Sequence, residues 1–189
     1  TLWIGTMGGG LFYMDINTRK VGQCSILDNN NTNWNKINML HNSWINSLLY
    51  TDEGKLYIGT YDGLGCLDIK KMDFISPLKN RRILYGDVIY ALHEGSDGNI
   101  WIGTSKGLKR LNPQSLDIQE YTIVDGLPSN YICAIKEDMN GYLWISTNYG
   151  ISRFNPKNQS FINFYASDGL QGNEFSKGAG FACQQGELI

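Results

Sequence analysis

Residues 99–113 read NIWIGTSKGLKRLNP. An apolar run carrying a tryptophan leads into Gly-Thr, a polar turn, a second glycine and another apolar run. Two short strands joined by a tight glycine turn satisfy that pattern. Nearly the same arrangement occurs three more times, as LWIGT at Leu2–Thr6, LYIGT at Leu56–Thr60 and LWIST at Leu143–Thr147, beside IWIGT at Ile100–Thr104. The aromatic position is held by Trp3, Tyr57, Trp101 and Trp144, at successive spacings of 54, 44 and 43 residues. A partial fifth copy, GELI, ends the chain, with Gly186 matching Gly141 and Ile189 in the aromatic place.

Other positions keep the same phase. Gly54, Gly98 and Gly141 precede the aromatic strands, and Gly63, Gly107 and Gly150 follow them, with Gly10 one residue later in its copy. An apolar segment comes earlier in each unit: INSLLY from Ile45, VIYALHE from Val88 and YICAIKE from Tyr131. A less regular strand closes each unit, such as SFINFY from Ser160. Each unit of about 44 residues therefore reads as four short antiparallel strands, and no window shows a helical period with caps. Four strands per repeat at this period predict an all-β fold, a β-propeller of about four blades. The repeat phases fall near 1–55, 56–99, 100–142 and 143–189. The aromatic strand is apolar throughout because a blade packs on both faces. Its tryptophan is assigned to burial between blades and its glycine to close approach. The chain starts and stops at one phase of the repeat, so an arc of a larger ring cut from a longer polypeptide is expected.

Composition agrees with many short strands: 22 Gly, 4 Pro and 12% aromatics in 189 residues. Sixteen basic against eighteen acidic side chains give a formal charge of −2. That leaves no electrostatic footprint for nucleic acid or an anionic membrane. No apolar run reaches the length of a membrane span. Cys24, Cys66, Cys133 and Cys183 form no metal-ligand spacing. They read as small buried residues, with a disulfide as the alternative.

Recognition residues are sought where the copies differ at a shared end of the blades. The turn between second and third strands and the connection to the next blade lie at the same end of an up-and-down blade. The first set of loops presents Tyr61 and Asp62, Lys106, and Asn148 and Tyr149. The second set includes VDGLPSNYI with Asn130 and SDGLQGNEF with Asn173 and Glu174. The first connection is about ten residues longer, rich in Asn, and holds Trp34, His41 and Trp44. Aromatic rings beside amides and carboxylates suit a sugar, whose apolar ring face stacks and whose hydroxyls pair with polar groups. These eleven residues are the candidate ligand-binding set.

No catalytic or metal-binding residue is assigned. His41 and His93 lack a metal motif. His93 lies in a first-strand pattern where the next copy has Lys136, and is given a structural role. GGG at Gly8–Gly10 is followed by neither Gly-Lys-Ser/Thr nor a helix, so it is no phosphate loop. A glycosidase needs two placed carboxylates, which spacing alone does not provide. No cofactor is implied.

DGNIWIGTSKGLKRLNP, NGYLWISTNYGISRFNP and DGLPSNYI together resemble the two-component regulator propeller repeat, over essentially the whole chain. SDGNIW also resembles the Asp-box turn of sialidase-like propellers, with the spacing from Asp97 to Trp101 one residue short. The repeat resemblance implies the periplasmic sensor region of a hybrid two-component histidine kinase. Such regions carry two seven-bladed propellers and an immunoglobulin-like domain, and many detect oligosaccharides. On that basis the expected partners are an oligosaccharide, the neighbouring propeller, the immunoglobulin-like domain of the parent chain and a second copy in a homodimer. The segment itself is expected to be no enzyme. A structural interaction platform, or less readily a propeller glycosidase or lyase, are the alternatives. The first copy departs from the pattern through TMGGG and its long connection.

Overall fold

The computed structural model describes residues 1–24, 42–78 and 84–180. Trp34, His41, Cys183 and the terminal GELI lie outside the described residues. The chain forms two compact units, Thr1–Ile89 and Tyr90–Ile189.

The first unit holds a sheet of β1 (Leu2–Thr6), β2 (Gly10–Met14) and β3 (Val21–Cys24), and a sheet of β4 (Ile45–Tyr50), β5 (Lys55–Thr60), β6 (Gly63–Asp68) and β7 (Asp73–Ile75). The second is built from β8 (Ile89–Glu94), β9 (Ile100–Thr104), β10 (Gly107–Leu111) and β11 (Ile118–Tyr121), then β12 (Ile132–Glu137), β13 (Leu143–Thr147), β14 (Ile151–Asn155) and β15 (Ser160–Phe164). Within every sheet each strand pairs with the next in sequence, the order of a propeller blade. Among the described residues the first sheet has three strands, with β1 in the place that β5, β9 and β13 take as second strands. Helical structure among the described residues is limited to short 3₁₀ turns such as Ala166–Asp168.

The Ile-Gly-Thr motif can be read atom by atom. In β9 all five residues are buried, and in β5 all but Lys55, so both faces of these strands are covered. The isoleucines, Ile58 and Ile102, have no exposed surface. The glycines are notches. A Cβ on Gly103 would stand 2.6 Å from Cγ2 of Ile132, the residue that opens the next first strand. On Gly5 the same atom would meet Ile45 at 2.5 Å, and on Gly59 Ile89 at 2.6 Å. The threonines close the loops that follow. Thr6, Thr60, Thr104 and Thr147 donate their hydroxyls to the carbonyls of Gly10, Gly63, Gly107 and Gly150 at 2.8–2.9 Å.

The tryptophan fills the space beside that notch. In the second unit Trp101 is 1% exposed, and its ring meets Phe154 of the following sheet edge-on at 5.6 Å. Phe154 in turn stacks on Phe161 at 4.4 Å and contacts Tyr121 at 4.9 Å. In the first unit Leu11, Ile45, Leu56, Ile58 and Leu67 form the core, with Trp3 and Phe74 packed against it.

Turns between third and fourth strands share one construction. The side-chain oxygens of Asp15, Asp68, Asn112 and Asn155 accept backbone N–H groups two or three residues ahead. Four residues after each stands a non-glycine with positive φ: Arg19 (57°), Met72 (49°), Leu116 (59°) and Gln159 (59°). Left-handed backbone costs an L-residue about 1–2 kcal/mol.

Two outcomes test these assignments. Gly103→Ala drives a methyl into Ile132 and is expected to destabilise the chain by about 1–3 kcal/mol, read by urea unfolding. Met72→Gly relieves left-handed strain at an exposed turn and is expected to stabilise by about 0.5–1 kcal/mol in the same assay.

Candidate functional site

Each unit presents its second-to-third strand loops next to the inter-sheet connection. Three glycines at or just before the start of a third strand donate their N–H into the connection that follows. Gly10 reaches the Ser43 carbonyl at 3.0 Å, Gly63 that of Asp87 at 3.0 Å, and Gly150 that of Asn173 at 2.6 Å. The loops and connections read together in the sequence therefore meet in space.

In the first unit the junction is built around Trp44. Its backbone N–H donates to Asn42 Oδ1 at 2.7 Å, and its carbonyl accepts the Tyr61 N–H at 3.1 Å. A β-bridge ties it to Met7. Its indole lies edge-on to the Tyr61 ring at 5.5 Å, beside Gly8, and stays 44% exposed. Asp62 is spent on the loop frame, its Oδ1 accepting the Gly86 N–H at 2.7 Å. The long connection thus returns an exposed indole onto the loop, with a second aromatic holding its edge.

The second unit collects Lys106, Asn130, Asn148, Tyr149, Asn173 and Glu174, of which Lys106, Asn148, Tyr149 and Glu174 are exposed. Two of these are clamps. Asn130 Oδ1 accepts the Ile123 N–H at 2.9 Å, and Asn173 Oδ1 accepts the Ala166 N–H at 2.7 Å, each seven residues back. Asp125 and Asp168 do the same three residues back, for Thr122 and Tyr165, at 2.7 and 2.9 Å. The Asp-Gly-Leu-x-x-Asn pattern is thereby explained as a loop that ties itself shut. Asn148 accepts the Ser129 hydroxyl at 2.6 Å, and Tyr149 leans on Tyr165 at 5.6 Å.

Sequence reasoning missed a third cluster. Tyr90 and Tyr131 pack at 4.7 Å, and the Lys177 ammonium lies 4.2 Å from the Tyr90 ring centre. Burial, with the Tyr131 hydroxyl beside it, pushes the Tyr90 phenol up to about 12. The two tyrosines stand on opposite sides of the recurring isoleucine, one after Ile89 and one before Ile132, so aligning the copies does not bring them together.

At the other end of the second unit, His93 Nε2 lies 3.3 Å from Glu137 Oε2, which also accepts the Ser96 N–H at 2.8 Å. The pair ties the two sheets of that unit. Burial holds the His93 imidazole below its ordinary 6.5, against the opposing pull of Glu137; Lys136 adds to the lowering and Asp97 opposes it. Asp138 caps the next hairpin. Burial raises its carboxyl, but the Trp144 indole N–H at 2.9 Å and the Tyr142 and Asn140 N–H groups outweigh that and hold it below the usual value. Cys24, Cys66 and Cys133 are free thiols, and burial pushes Cys66 up to about 12. Among the described residues no group of three His, Cys, Asp or Glu could hold a metal ion.

The model of the two component regulator propeller family matches residues 86–106 and 126–149. The chain is similar to the extracellular domain of an assigned hybrid two component system of B. thetaiotaomicron, at 27% identity and TM-score 0.82. A second such domain from that organism gives 23% and 0.76. Each match covers 98% of this chain and 24% of the other, so the chain spans about a quarter of those ectodomains. Virginiamycin B lyase from Staphylococcus aureus shares the fold at 16% identity and TM-score 0.62, over 96% of this chain and 62% of its own. No curated protein matches the chain. The sheets of the chain are those of a β-propeller piece, as in these ectodomains. No helix among the described residues is long and apolar enough to cross a membrane.

The folded His93 pKa lies below its unfolded value, so its contribution is complete above 6.5 and is lost as pH falls below that. Stability measured by urea unfolding is expected to drop from pH 7 to pH 5, with His93→Gln flattening that slope.

Proposed function

We propose that this segment is a ligand-sensing part of a periplasmic hybrid two-component receptor, and that its ligand is an oligosaccharide held at the loop ends. The observation that carries the reading is Trp44, an indole 44% exposed, braced edge-on by Tyr61 and set over Gly8. A sugar ring lays its C–H face on such a surface, while neighbouring side chains take its hydroxyls. Trp34 and His41 belong to the same connection and are proposed to complete this site. Asn148 and Tyr149 are proposed as the corresponding contacts of the second unit.

The relay follows from linkage. A ligand that binds one arrangement of the ectodomain better than another shifts the population toward it. The neighbouring propeller, the immunoglobulin-like domain of the parent chain and a second copy are the proposed surfaces against which packing changes. Kinase activity belongs to other parts of that parent. A purely structural role remains the rival reading, with the ligand held elsewhere.

Titration calorimetry of the chain against a panel of plant and host oligosaccharides tests this. One member is expected to bind, and Trp44→Ala to weaken it by about tenfold, the loss of one stacked ring. Absence of heat with every sugar, or binding untouched by Trp44→Ala, favours the platform.

A further inference from the structure

The loop after β1 departs from its siblings in length and in content. Met7, Gly8 and Gly9 stand between Thr6 and Gly10, where each other copy has two residues between threonine and glycine. None of the three brings a polar side chain. The loop backbone is largely spent on the frame. The Gly8 and Gly10 N–H groups both donate to the Ser43 carbonyl, the Gly9 carbonyl accepts Gln23 Nε2 at 2.8 Å, and the Gly10 carbonyl accepts the Thr6 hydroxyl. A ligand hydroxyl turned toward this loop meets little that can replace its water, and an unmade bond is unfavourable.

Met7 makes that side apolar. It stands directly opposite Trp44 in an antiparallel bridge, and opposite residues of such a pair send their side chains to the same face. Met7 is 70% exposed and Trp44 44%, so a ligand can reach both. Trp44 also keeps one donor. Its backbone N–H and carbonyl are bonded, but its indole N–H has no acceptor among the described residues. Gly8 lies beside that nitrogen: a Cβ there would stand 3.5 Å from Nε1 and 3.8 Å from Cε2. A φ of 99° keeps larger residues out of this position, so the flank of the indole stays bare.

A methionine surface, a flat indole and one N–H donor beside a bare glycine match an acetamido group. Its carbonyl oxygen accepts a hydrogen bond, and its methyl needs apolar cover and no partner. We propose that the Trp44 site selects an N-acetylated amino sugar within an oligosaccharide, with the acetamido carbonyl accepting the Trp44 Nε1–H beside Gly8 and the methyl against Met7. The proposal rests on the reading of Trp44 as a sugar-stacking ring and adds the class of sugar. A plain hexose puts a hydroxyl in that place, which can take the N–H but leaves Met7 uncovered. A deoxy sugar ending in a methyl covers Met7 but leaves the N–H unmet.

The test is calorimetry of the full chain with N,N′-diacetylchitobiose and with cellobiose, which share ring and linkage and differ in the acetamido groups. The diacetyl sugar is expected to bind about tenfold tighter, the yield of one hydrogen bond with one buried methyl. Met7→Ala removes the cover of the methyl, and Trp44→Phe removes the N–H while keeping a ring to stack. Each is expected to shrink the preference to about threefold, with the urea midpoint unchanged, and Met7→Leu to restore it. In a ¹⁵N spectrum the Trp44 indole proton is expected to move with the diacetyl sugar and far less with cellobiose. Equal affinities for the two sugars, or a preference unchanged in both variants, overturns the acetamido assignment and leaves Trp44 as a general stacking surface. So does Trp44-dependent binding of another oligosaccharide when neither of these two binds. Binding of the diacetyl sugar that survives Trp44→Ala, or no heat with any sugar, overturns the loop-face reading and this proposal with it.

Discussion

Everything in this fold turns on a missing Cβ. Buried sheets whose side chains meet face to face ordinarily stand about 10 Å apart. A glycine in the second strand lets the first strand of the next sheet sink its isoleucine onto bare backbone. Gly5 with Ile45 and Gly103 with Ile132 show the contact, with no room for a methyl between them. The residues on either side complete the device. The isoleucine before the glycine points into the opposite core, and the threonine after it closes the loop with its own hydroxyl. Three consecutive residues thus serve the core, the interface and the loop end. A change at the glycine is felt by both sheets, because the tryptophan two places earlier is buried against the same neighbour.

This division of labour explains what the sequence disclosed. Repeated Ile-Gly-Thr, the turn glycines and the alternating apolar runs all answer local demands, so each recurs wherever the demand recurs. The strand order, the inter-sheet role of Trp101 and the meeting of the two loop sets followed from that recurrence. The roles of Asn130 and Asn173 were legible only in part. Their recurrence after Asp-Gly-Leu marks them as special. Their side-chain oxygens bond to backbone seven residues earlier, a long-loop closure that spacing alone does not reveal. Tyr90, Tyr131 and Lys177 escaped notice because they come together from three segments at unequal repeat offsets.

The same accounting separates frame from recognition surface. A loop at the end of a blade must satisfy its own backbone before it can serve a ligand. Asp62, Asp125 and Asp168 each give a carboxylate oxygen to a main-chain N–H, as the two asparagines do. Recurrent polar residues in these loops are therefore structural by preference, even when they lie at the exposed end. Trp44 differs in kind. Its backbone is fully engaged in the frame, through Asn42 and Tyr61, while its indole is left on the surface. A side chain held firmly by its main chain and still exposed loses little entropy on binding, which is the property a recognition ring needs.

A repeat protein can depart from its own pattern in two ways, and both occur here. One adds material: the connection after β3 is about ten residues longer than the others and ends at Trp44, whose backbone joins a loop otherwise built like its siblings. The other changes a single scaffold residue: Ser146 stands in β13 where Gly5, Gly59 and Gly103 stand in the other copies. The first leaves the seat between glycine and isoleucine untouched. The second falls on the contact that sets how closely one sheet approaches the next, while Thr147 beside it still closes its loop as the other threonines do.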